Sequence, residues 1–315
     1  MKRAREEDTE NSAEEAVEPE VGALKAEETA AAPDPYDDED EEDERFKRER
    51  ADSKRLRKGA DCPYVDTVAR PMLDFDFEKC CSVSLSPINV YACLVCGKYF
   101  QGRGPKSHAY THSLEFNHHM YMKVETGKVY CLPEGYEVDD RSFDDIRFVL
   151  NPRFSAADVS EFDKTPTWSR SLEGVEFMPG FVGLNNMRAN DYANVIIQTL
   201  MRITPIRDFF LLPENYSKCK SLLVHRFGEL MRKMWNPRNF KGQVSPHEFM
   251  QAVMQSSKKR FLIDKQGEPV EFFSWLANTL HYDLTGGKVK KRSVITDCLQ
   301  GQLQMPTEAG TGCEL

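Results

Sequence analysis

The feature that most constrains this chain is a concentration of cysteine and histidine between residues 62 and 131. Six of the nine cysteines and four of the seven histidines of the 315-residue sequence fall in this stretch. Cys93-Leu-Val-Cys96 is a C-x2-C pair, whose spacing lets two thiolates converge on one ion while amides of the turn donate hydrogen bonds to sulphur. His112 and His118 add two imidazoles downstream. A closed four-ligand set leaves no coordination position for water, so we predict one structural zinc ion on Cys93, Cys96, His112 and His118.

The alternative without a metal is that the two cysteines are small buried apolar residues and the histidines are surface residues. The downstream histidines favour zinc over that interpretation. The segment Met1–Glu10 lacks the apolar core of a signal peptide, and no later apolar run reaches the length of a membrane-spanning helix. We therefore expect a soluble intracellular protein with no membrane partner and with reduced thiols. Further zinc ions stay an open question, with these candidate ligands: Cys62, Cys80, Cys81, His108 and Cys131.

The first 58 residues differ in composition from the rest of the chain. They hold 21 Asp or Glu and 12 Lys or Arg, a net charge of −9 that equals the net charge of the whole chain. Only two of them are aromatic, so we predict that residues 1–60 form a disordered charged tail. An acidic run, Asp37–Glu44, precedes a basic cluster, Lys54–Lys58, of the kind that nuclear import receptors bind. The remaining charge is balanced, and we predict no direct contact with nucleic acid.

The cysteine and histidine spacing resembles the UBP-type zinc finger. The matching segments are Tyr91-Ala-Cys93-Leu-Val-Cys96, Gln101-Gly-Arg103, His108-Ala-Tyr-Thr-His112 and His118. The family pattern runs C-L-x-C, C-G-R, H-x3-H and then H. Gln101 stands where the cysteine of C-G-R belongs, and Cys131 alone remains of a later C-x2-C pair. Members of the family hold up to three zinc ions, and the resemblance supports one here.

Several relatives of this finger bind the free C-terminal tail of ubiquitin. Arg103 matches the family arginine that meets the terminal carboxylate, and Tyr91 replaces an aromatic residue that is usually Trp. An arginine suits bidentate carboxylate recognition, although a single surface arginine is commonly only solvated. The resemblance thus implies ubiquitin as a weak second partner.

A second resemblance begins at Gly183. The segment Gly183–Leu200 has the pattern of a polar loop that leads into an apolar helix starting near Asp191. It resembles the cysteine box of ubiquitin-specific proteases, G-L-x-N-x-G-N-x-C-Y-x-N-x-x-x-Q-x-L. In an active member, the cysteine stands at the helix N-terminus because the helix dipole and free amides lower its thiol pKa. This chain has Asp191 at that position.

Asp191 is no substitute nucleophile, because attack of a carboxylate on an amide would form a less stable mixed anhydride. We expect it to cap the helix instead, a contribution of about 1 kcal/mol. Ala189 occupies the position of the family asparagine that helps form the oxyanion hole, so a donor to the tetrahedral intermediate is also missing. We therefore predict a pseudo-deubiquitinase. A thiol isopeptidase using Cys219 or Cys298 is the alternative, and it has no matched histidine.

The match to the protease domain continues further along the chain. Ser245-Pro-His-Glu248 has the pattern of a capping box with proline at the first helical position. The segment Gln266–Phe273 is predicted to open a helix that runs to His281, and Val294–Leu303 resembles the strand that enters the fingers region of the family. The late histidine and Asn/Asp boxes of the family are missing, which implies a partial protease domain.

These segments predict an α+β chain. A UBP-type zinc finger, a small sheet with helices, is expected over residues 61–150, and residues 151–180 are interpreted as a linker. The mainly helical thumb portion of a papain-like ubiquitin-specific protease domain, truncated, follows over residues 181–303. Residues 304–315 have the appearance of a divergent C-terminal tail.

The finger, Asp191, Ala189 and the charged tail together resemble the catalytically inactive ubiquitin-specific-protease-like proteins of the spliceosomal tri-snRNP. The resemblance implies a nuclear, non-catalytic scaffold for pre-mRNA splicing that acts in tri-snRNP assembly or recruitment, with tri-snRNP proteins as partners. The alternatives are a ubiquitin-processing thiol isopeptidase and a ubiquitin-tail-binding zinc module. Composition and spacing by themselves indicate only a zinc site, a helical region and a lost nucleophile.

Overall fold

The computed structural model describes residues 62–164, 167–288, 291–302, 304–305 and 313–314. The predicted disordered tail over residues 1–60 lies outside the described residues. All described residues belong to one contact unit. No helix in the described part of the chain is both long and apolar enough to span a membrane.

The first half of the described chain folds around a five-stranded antiparallel sheet with strand order β2-β1-β3-β4-β5. The strands are β1 (Val90–Cys93), β2 (Tyr99–Gln101), β3 (Met120–Lys123), β4 (Val129–Cys131) and β5 (Tyr136–Val138). Helix α1 (His108–Phe116) connects β2 to β3, and helix α2 (Asp144–Leu150) follows the sheet. Every residue of β1 and β2 is buried, so both faces of the sheet are covered.

Alternation along β1 decides which side chains reach which face of the sheet. Tyr91 and Cys93 pack in one cluster with Ala109 of α1, whereas Ala92 packs in a second cluster with Ile146 of α2. This follows from the period of two residues along a strand. The face covered by α1 is therefore the one that receives the first predicted zinc ligand.

The second half is mainly helical, which confirms the predicted α+β class. Its helices are α3 (Ala156–Glu161), α4 (Asp191–Leu200), α5 (Thr204–Leu211), α6 (Leu222–Met234), α7 (His247–Ser256), α8 (Pro269–Thr285) and α9 (Val294–Leu299). Short strands pair as β6 (Ser169–Arg170) with β7 (Glu176–Phe177), β8 (Gly183–Leu184) with β9 (Gln243–Val244), and β10 (Gln304–Met305) with β11 (Cys313–Glu314). Helix α6 packs against α5, α7 and α8, and its apolar residues are buried at helical spacing.

Residues 151–180, interpreted from the sequence as a linker, are packed against the helical half. Phe154, Val159 and Phe177 belong to its hydrophobic core. The Arg207 guanidinium, 3% exposed, donates two hydrogen bonds of 2.7 Å to the carboxylate of Asp163 and holds the pKa of that carboxyl below its usual range. The apolar residues of this segment are too widely spaced to show a helical or strand period, so the packing is not visible in the sequence pattern.

Two local predictions in the helical half are wrong. The expected strand over Val294–Leu303 is instead helix α9, because Ser293 forms a capping box with Thr296 and Ile295 is buried against the core. The expected capping box at Ser245 does not form, and α7 begins without a side-chain cap. Its glutamate contacts a distant lysine instead, as described below.

Candidate functional site

The four residues predicted to bind zinc meet at one point, with all ligand atoms within 4.8 Å of one another. Cys93 Sγ lies 3.6 Å from His118 Nδ1, Cys96 Sγ lies 3.4 Å from His112 Nε2, and the two nitrogens are 3.1 Å apart. A tetrahedral zinc ion with Zn–S of about 2.3 Å and Zn–N of about 2.0–2.1 Å would separate sulphur from nitrogen by about 3.5 Å. The donor set and its spacing therefore fit zinc.

Cys93 ends β1, and Cys96 lies in the tight turn that follows. The turn is closed by a 2.9 Å hydrogen bond from the Gly97 amide to the Cys93 carbonyl. Amides of the turn also donate to both sulphurs, as the C-x2-C spacing predicts. Gly97 has φ +75°, and a Cβ there would lie 2.1 Å from the carbonyl oxygen of Met72, so the turn requires glycine.

The two histidines are placed by α1 and its end. The ring of His112, on α1, stacks on Phe100 with centroids 4.1 Å apart. Burial lowers the pKa of His112, which favours the neutral imidazole that a metal ligand must be. The helix ends at Asn117 in the left-handed conformation, φ 54°, and His118 follows directly.

Within the described residues, no second group of three or more Cys, His, Asp or Glu side chains has metal-site spacing. Cys62 accepts a hydrogen bond of 3.2 Å from the Tyr136 hydroxyl. Gln101, where the family has a cysteine, is buried and accepts a 2.8 Å hydrogen bond from the Ser84 hydroxyl. The eight cysteines whose side chains are described form no disulfide.

The loop of the cysteine box is held by its asparagines. Asn190 is fully buried, and its side-chain oxygen accepts a 2.7 Å hydrogen bond from the Met187 amide. Its side-chain nitrogen donates to Asn194 at 3.0 Å, and Asn194 donates in turn to the Asn185 carbonyl at 3.2 Å. Asn185, Asn190 and Asn194 thus hold the loop through hydrogen bonds that do not involve the side chain at position 191.

The same loop is anchored to its surroundings at both ends. Asn185 donates its amide to the Val244 carbonyl at 3.0 Å, beside the parallel pairing of β8 with β9. Gln198, the box glutamine, donates to the Val182 carbonyl at 2.8 Å. The box is therefore a rigid turn into α4.

Asp191 is the first residue of α4 and is exposed. Its carboxylate accepts no hydrogen bond from any described residue, and Asn190 occupies the cap position. The predicted cap at Asp191 is thus wrong: the N-cap position falls on Asn190, whose side chain makes no capping hydrogen bond because it bonds within the loop. Asp191 stabilises the helix only through the dipole, by about 0.3–1 kcal/mol. Ala189, half-buried beside it, has no side-chain donor.

The three histidines of the helical half have other contacts, and none hydrogen-bonds to Asp191 in the described part of the chain. The Nε2 atom of His225 lies 2.6 Å from the Cys219 carbonyl, and the Nδ1 atom of His281 lies 2.8 Å from Ser293 Oγ. The ring of His247 packs against Phe77. The described geometry provides no general base at the box.

Among the residues that the structure describes, neither alternative nucleophile has an activating base. The Cys219 thiol donates to the Asp283 carbonyl at 3.6 Å. Burial raises the pKa of the Cys298 thiol, which disfavours the reactive thiolate.

Residues 74–79, which we term the strap, connect the finger to the helical half. Asp74 pairs with Lys241 at 2.5 Å, and the Lys233 ammonium donates to the Phe75 carbonyl at 2.7 Å and pairs with Asp76 at 3.1 Å. The strap was not identified from the sequence. Its alternation of acidic and aromatic residues, Asp-Phe-Asp-Phe, was the available signal for an extended segment with two distinct faces.

The strap ends at Lys79, which pairs with Glu248 of α7 at 2.9 Å. Glu248 is 12% exposed and also lies 3.4 Å from Arg226 and 3.7 Å from Lys233. This contact explains why Glu248 forms no capping box. Glu248 is thus shared by three cations, of which Arg226 and Lys233 also have a closer carboxylate and Lys79 pairs with Glu248 alone among the described residues.

Comparison with known families agrees with this division. Residues 80–143 match the family described as "Zn-finger in ubiquitin-hydrolases and other protein", and residues 182–310 match "Ubiquitin carboxyl-terminal hydrolase". The fold and the site therefore define a ubiquitin-specific-protease-like protein with a UBP-type zinc finger, a zinc-binding module. The hydrolase match extends into residues 304–315, the segment interpreted as a divergent tail.

The names of individual relatives are more specific than these family descriptions. "Ubiquitin carboxyl-terminal hydrolase 39" of Homo sapiens is 53% identical over 279 residues, 86% of this chain and 49% of the relative. "Pre-mRNA-splicing factor SAD1" of Saccharomyces cerevisiae is 34% identical over 69% of this chain and 48% of the relative. "Probable mRNA-splicing protein ubp10" of Schizosaccharomyces pombe is 47% identical over 78% of this chain and 49% of the relative.

A solved structure described as "Crystal structure of an essential yeast splicing factor" matches with a TM-score of 0.69 and 30% identity, over 81% of this chain and 62% of that chain. The chain spans about half the length of the curated relatives it matches. Over that length it belongs with them among the ubiquitin-specific-protease-like proteins.

Proposed function

We propose that this chain is part of a non-catalytic scaffold for pre-mRNA splicing, which acts in the assembly or recruitment of the tri-snRNP in the nucleus. The observation that carries the non-catalytic part is Asp191, which occupies the first position of α4 where a thiol is required. The splicing part is supported by relatives whose names describe splicing factors.

Three observations on the described residues support loss of catalysis. Asp191 replaces the nucleophile, Ala189 replaces the oxyanion donor, and no histidine hydrogen-bonds to Asp191. The asparagine network keeps the box rigid all the same. A loop that keeps its hydrogen bonds but lacks the nucleophile and the oxyanion donor is suited to binding partners and not to cleaving them.

We also propose that a single zinc ion is bound by Cys93, Cys96, His112 and His118. Bound there, it would supply a cross-link and no reactivity, because four protein ligands fill a tetrahedral site. These residues tie the end of β1 to α1 and to the start of β3. The strap then fixes the finger against the helical half, which gives partners one continuous surface.

The ubiquitin-tail interpretation has less support from the geometry. Arg103 lies over the ring of Tyr130, with Cζ 4.4 Å from the centroid, and donates to the Gly135 carbonyl at 3.3 Å. Tyr91, the counterpart of the family aromatic, is 2% exposed and therefore cannot stack on a ligand. We accordingly propose tri-snRNP proteins as the main partners and ubiquitin as a weak one.

Purification of the tagged full chain from nuclear extract tests the proposal. We expect the small nuclear RNAs and proteins of the tri-snRNP to be recovered with it. Asp191→Cys should recover the same amounts, because assembly does not depend on chemistry at this position. Soluble tagged protein that recovers no small nuclear ribonucleoprotein would contradict a role in splicing.

A further inference from the structure

An open cavity of about 920 Å³ lies between the start of α6 and the end of α8. We term it the lysine groove, because its lining includes Lys218, Lys220, Lys291 and Arg292. Asp283 is the acidic residue of the lining. Four cations therefore face one carboxylate, in a chain whose charge is balanced after residue 58.

Most of this positive charge is uncompensated. Lys218, Lys220 and Lys291 are exposed, and none forms an ion pair within the described ranges. Asp283 already accepts a 2.5 Å hydrogen bond from the Ser221 hydroxyl. Arg292 pairs with Asp297 at 2.6 Å. Three lysines remain to attract an anionic ligand.

The start of α6 adds to this field. Ser221 caps a 13-residue helix and lines the groove, so the positive end of the helix dipole lies at the same place. The groove thus combines exposed cations with the partial positive charge of a helix N-terminus, a combination suited to phosphate groups.

The groove also has an aromatic edge. Tyr282 is 58% exposed and lines both the lysine groove and a neighbouring cavity of about 710 Å³. That second cavity is lined as well by Trp275, Asn278 and Thr279, which share one face of α8 with Tyr282 because of their helical spacing. Trp275 and Tyr282 are two turns apart, about 10.5 Å along the helix axis. The two cavities share Tyr282 and form one track, with the exposed lysines in the first cavity and Trp275 and the Arg260–Glu271 ion pair in the second.

We propose that this track binds single-stranded RNA, with Lys218, Lys220 and Lys291 against phosphates and Tyr282 against the face of a base. A basic groove beside an exposed aromatic ring offers the two contacts, to phosphate and to the base face, that bind single strands without sequence preference. An acidic peptide would satisfy the lysines but leave the aromatic face without a contact. The inference goes beyond the scaffold proposed above and replaces the expectation, drawn from overall charge, of no contact with nucleic acid.

The test measures fluorescence anisotropy of a fluorescein-labelled 12-nucleotide oligouridylate titrated with the full chain. Reversal of the three groove lysines (Lys218→Glu, Lys220→Glu, Lys291→Glu) should weaken binding at least tenfold. It should also reduce the slope of log K against log salt by about 2, since each phosphate contact on a single strand contributes about 0.7. Tyr282→Ala should weaken binding about tenfold and leave the slope unchanged.

The matched control carries the same change of charge elsewhere: Lys106→Glu, Lys128→Glu, Lys265→Glu. At physiological salt, where screening acts over about 8 Å, it should change affinity by no more than about twofold. Equal weakening by the control triple would overturn the proposal. A 12-residue polyglutamate that competes as well as unlabelled RNA, with Tyr282→Ala inert, would also overturn it and indicate an acidic protein partner.

Thermal melting of each variant separates lost binding from lost folding. If the reversal lowers the melting temperature, Lys→Gln at the same three positions is expected to melt like wild type and still lose most of the affinity. Retained affinity in a folded Lys→Gln triple would contradict the proposed phosphate contacts.

Discussion

Cys93→Ser should abolish zinc binding and unfold the finger. The ion would join the end of β1, α1 and the start of β3, and no other group in the described finger replaces that cross-link. Structural zinc contributes an apparent ~10–16 kcal/mol in small fingers, comparable to the whole stability of a domain, ~5–15 kcal/mol. We expect one zinc per chain in the wild-type protein by elemental analysis, and well below one in the variant, with loss of sheet signal in circular dichroism.

Cys131→Ser is the matched control for zinc binding. Its thiol is fully buried in the same sheet but lies outside the ligand group, so this variant should lose some stability and still bind one zinc. A wild-type ratio near two, or loss of metal from the Cys131 variant, would show that the ligand assignment is incomplete.

The second large effect is expected at Glu248. Glu248→Gln removes the carboxylate that Lys79, Arg226 and Lys233 share at a largely buried junction. Arg226 and Lys233 each keep a second carboxylate, whereas Lys79 loses its ion-pair partner in the described structure. Burial, followed by repulsion from Lys233, already lowers the pKa of Lys79 in the intact network. Breaking a buried ion pair costs about 3–5 kcal/mol, and we expect a loss of this size in the free energy of unfolding measured with urea.

Glu271→Gln provides the comparison for this prediction. Glu271 pairs with Arg260 at the surface, where both side chains are about half exposed, so its loss should cost only about 0–1 kcal/mol. Similar small losses in both variants would mean that the junction network does not hold the finger to the helical half.

The clustering of the four predicted zinc ligands could be predicted because their geometry is local. The C-x2-C spacing by itself dictates the turn that holds Cys93 and Cys96, and the helix that carries His112 ends just before His118. The box was predictable for the same reason, as a polar loop that leads into a helix. The residue at the N-cap position was not predictable, because both Asn190 and Asp191 suit a helix N-terminus. Only the hydrogen bonds of Asn190 within the loop distinguish the two.

Features that depend on distant contacts were missed. Glu248 has the sequence pattern of a capping box, but its partner Lys79 lies 169 residues earlier in the chain. The lysine groove brings Lys218 and Lys220 together with Lys291. The balanced overall charge of this part of the chain gives no sign of such a cluster. No local pattern contains these pairings, since tertiary contacts override local preference.

The most direct test of the central claim, that the box has lost its chemistry, is reaction with a ubiquitin C-terminal electrophile probe. The probe is incubated with the full chain, beside an active ubiquitin-specific protease as a positive control, and adducts are mapped by mass spectrometry. We expect labelling of the active protease and none of this chain, because Asp191 supplies no thiol and neither Cys219 nor Cys298 has an activating base in the described structure. A covalent ubiquitin adduct on Cys219 or Cys298, lost in the corresponding Cys→Ser variant, would contradict it.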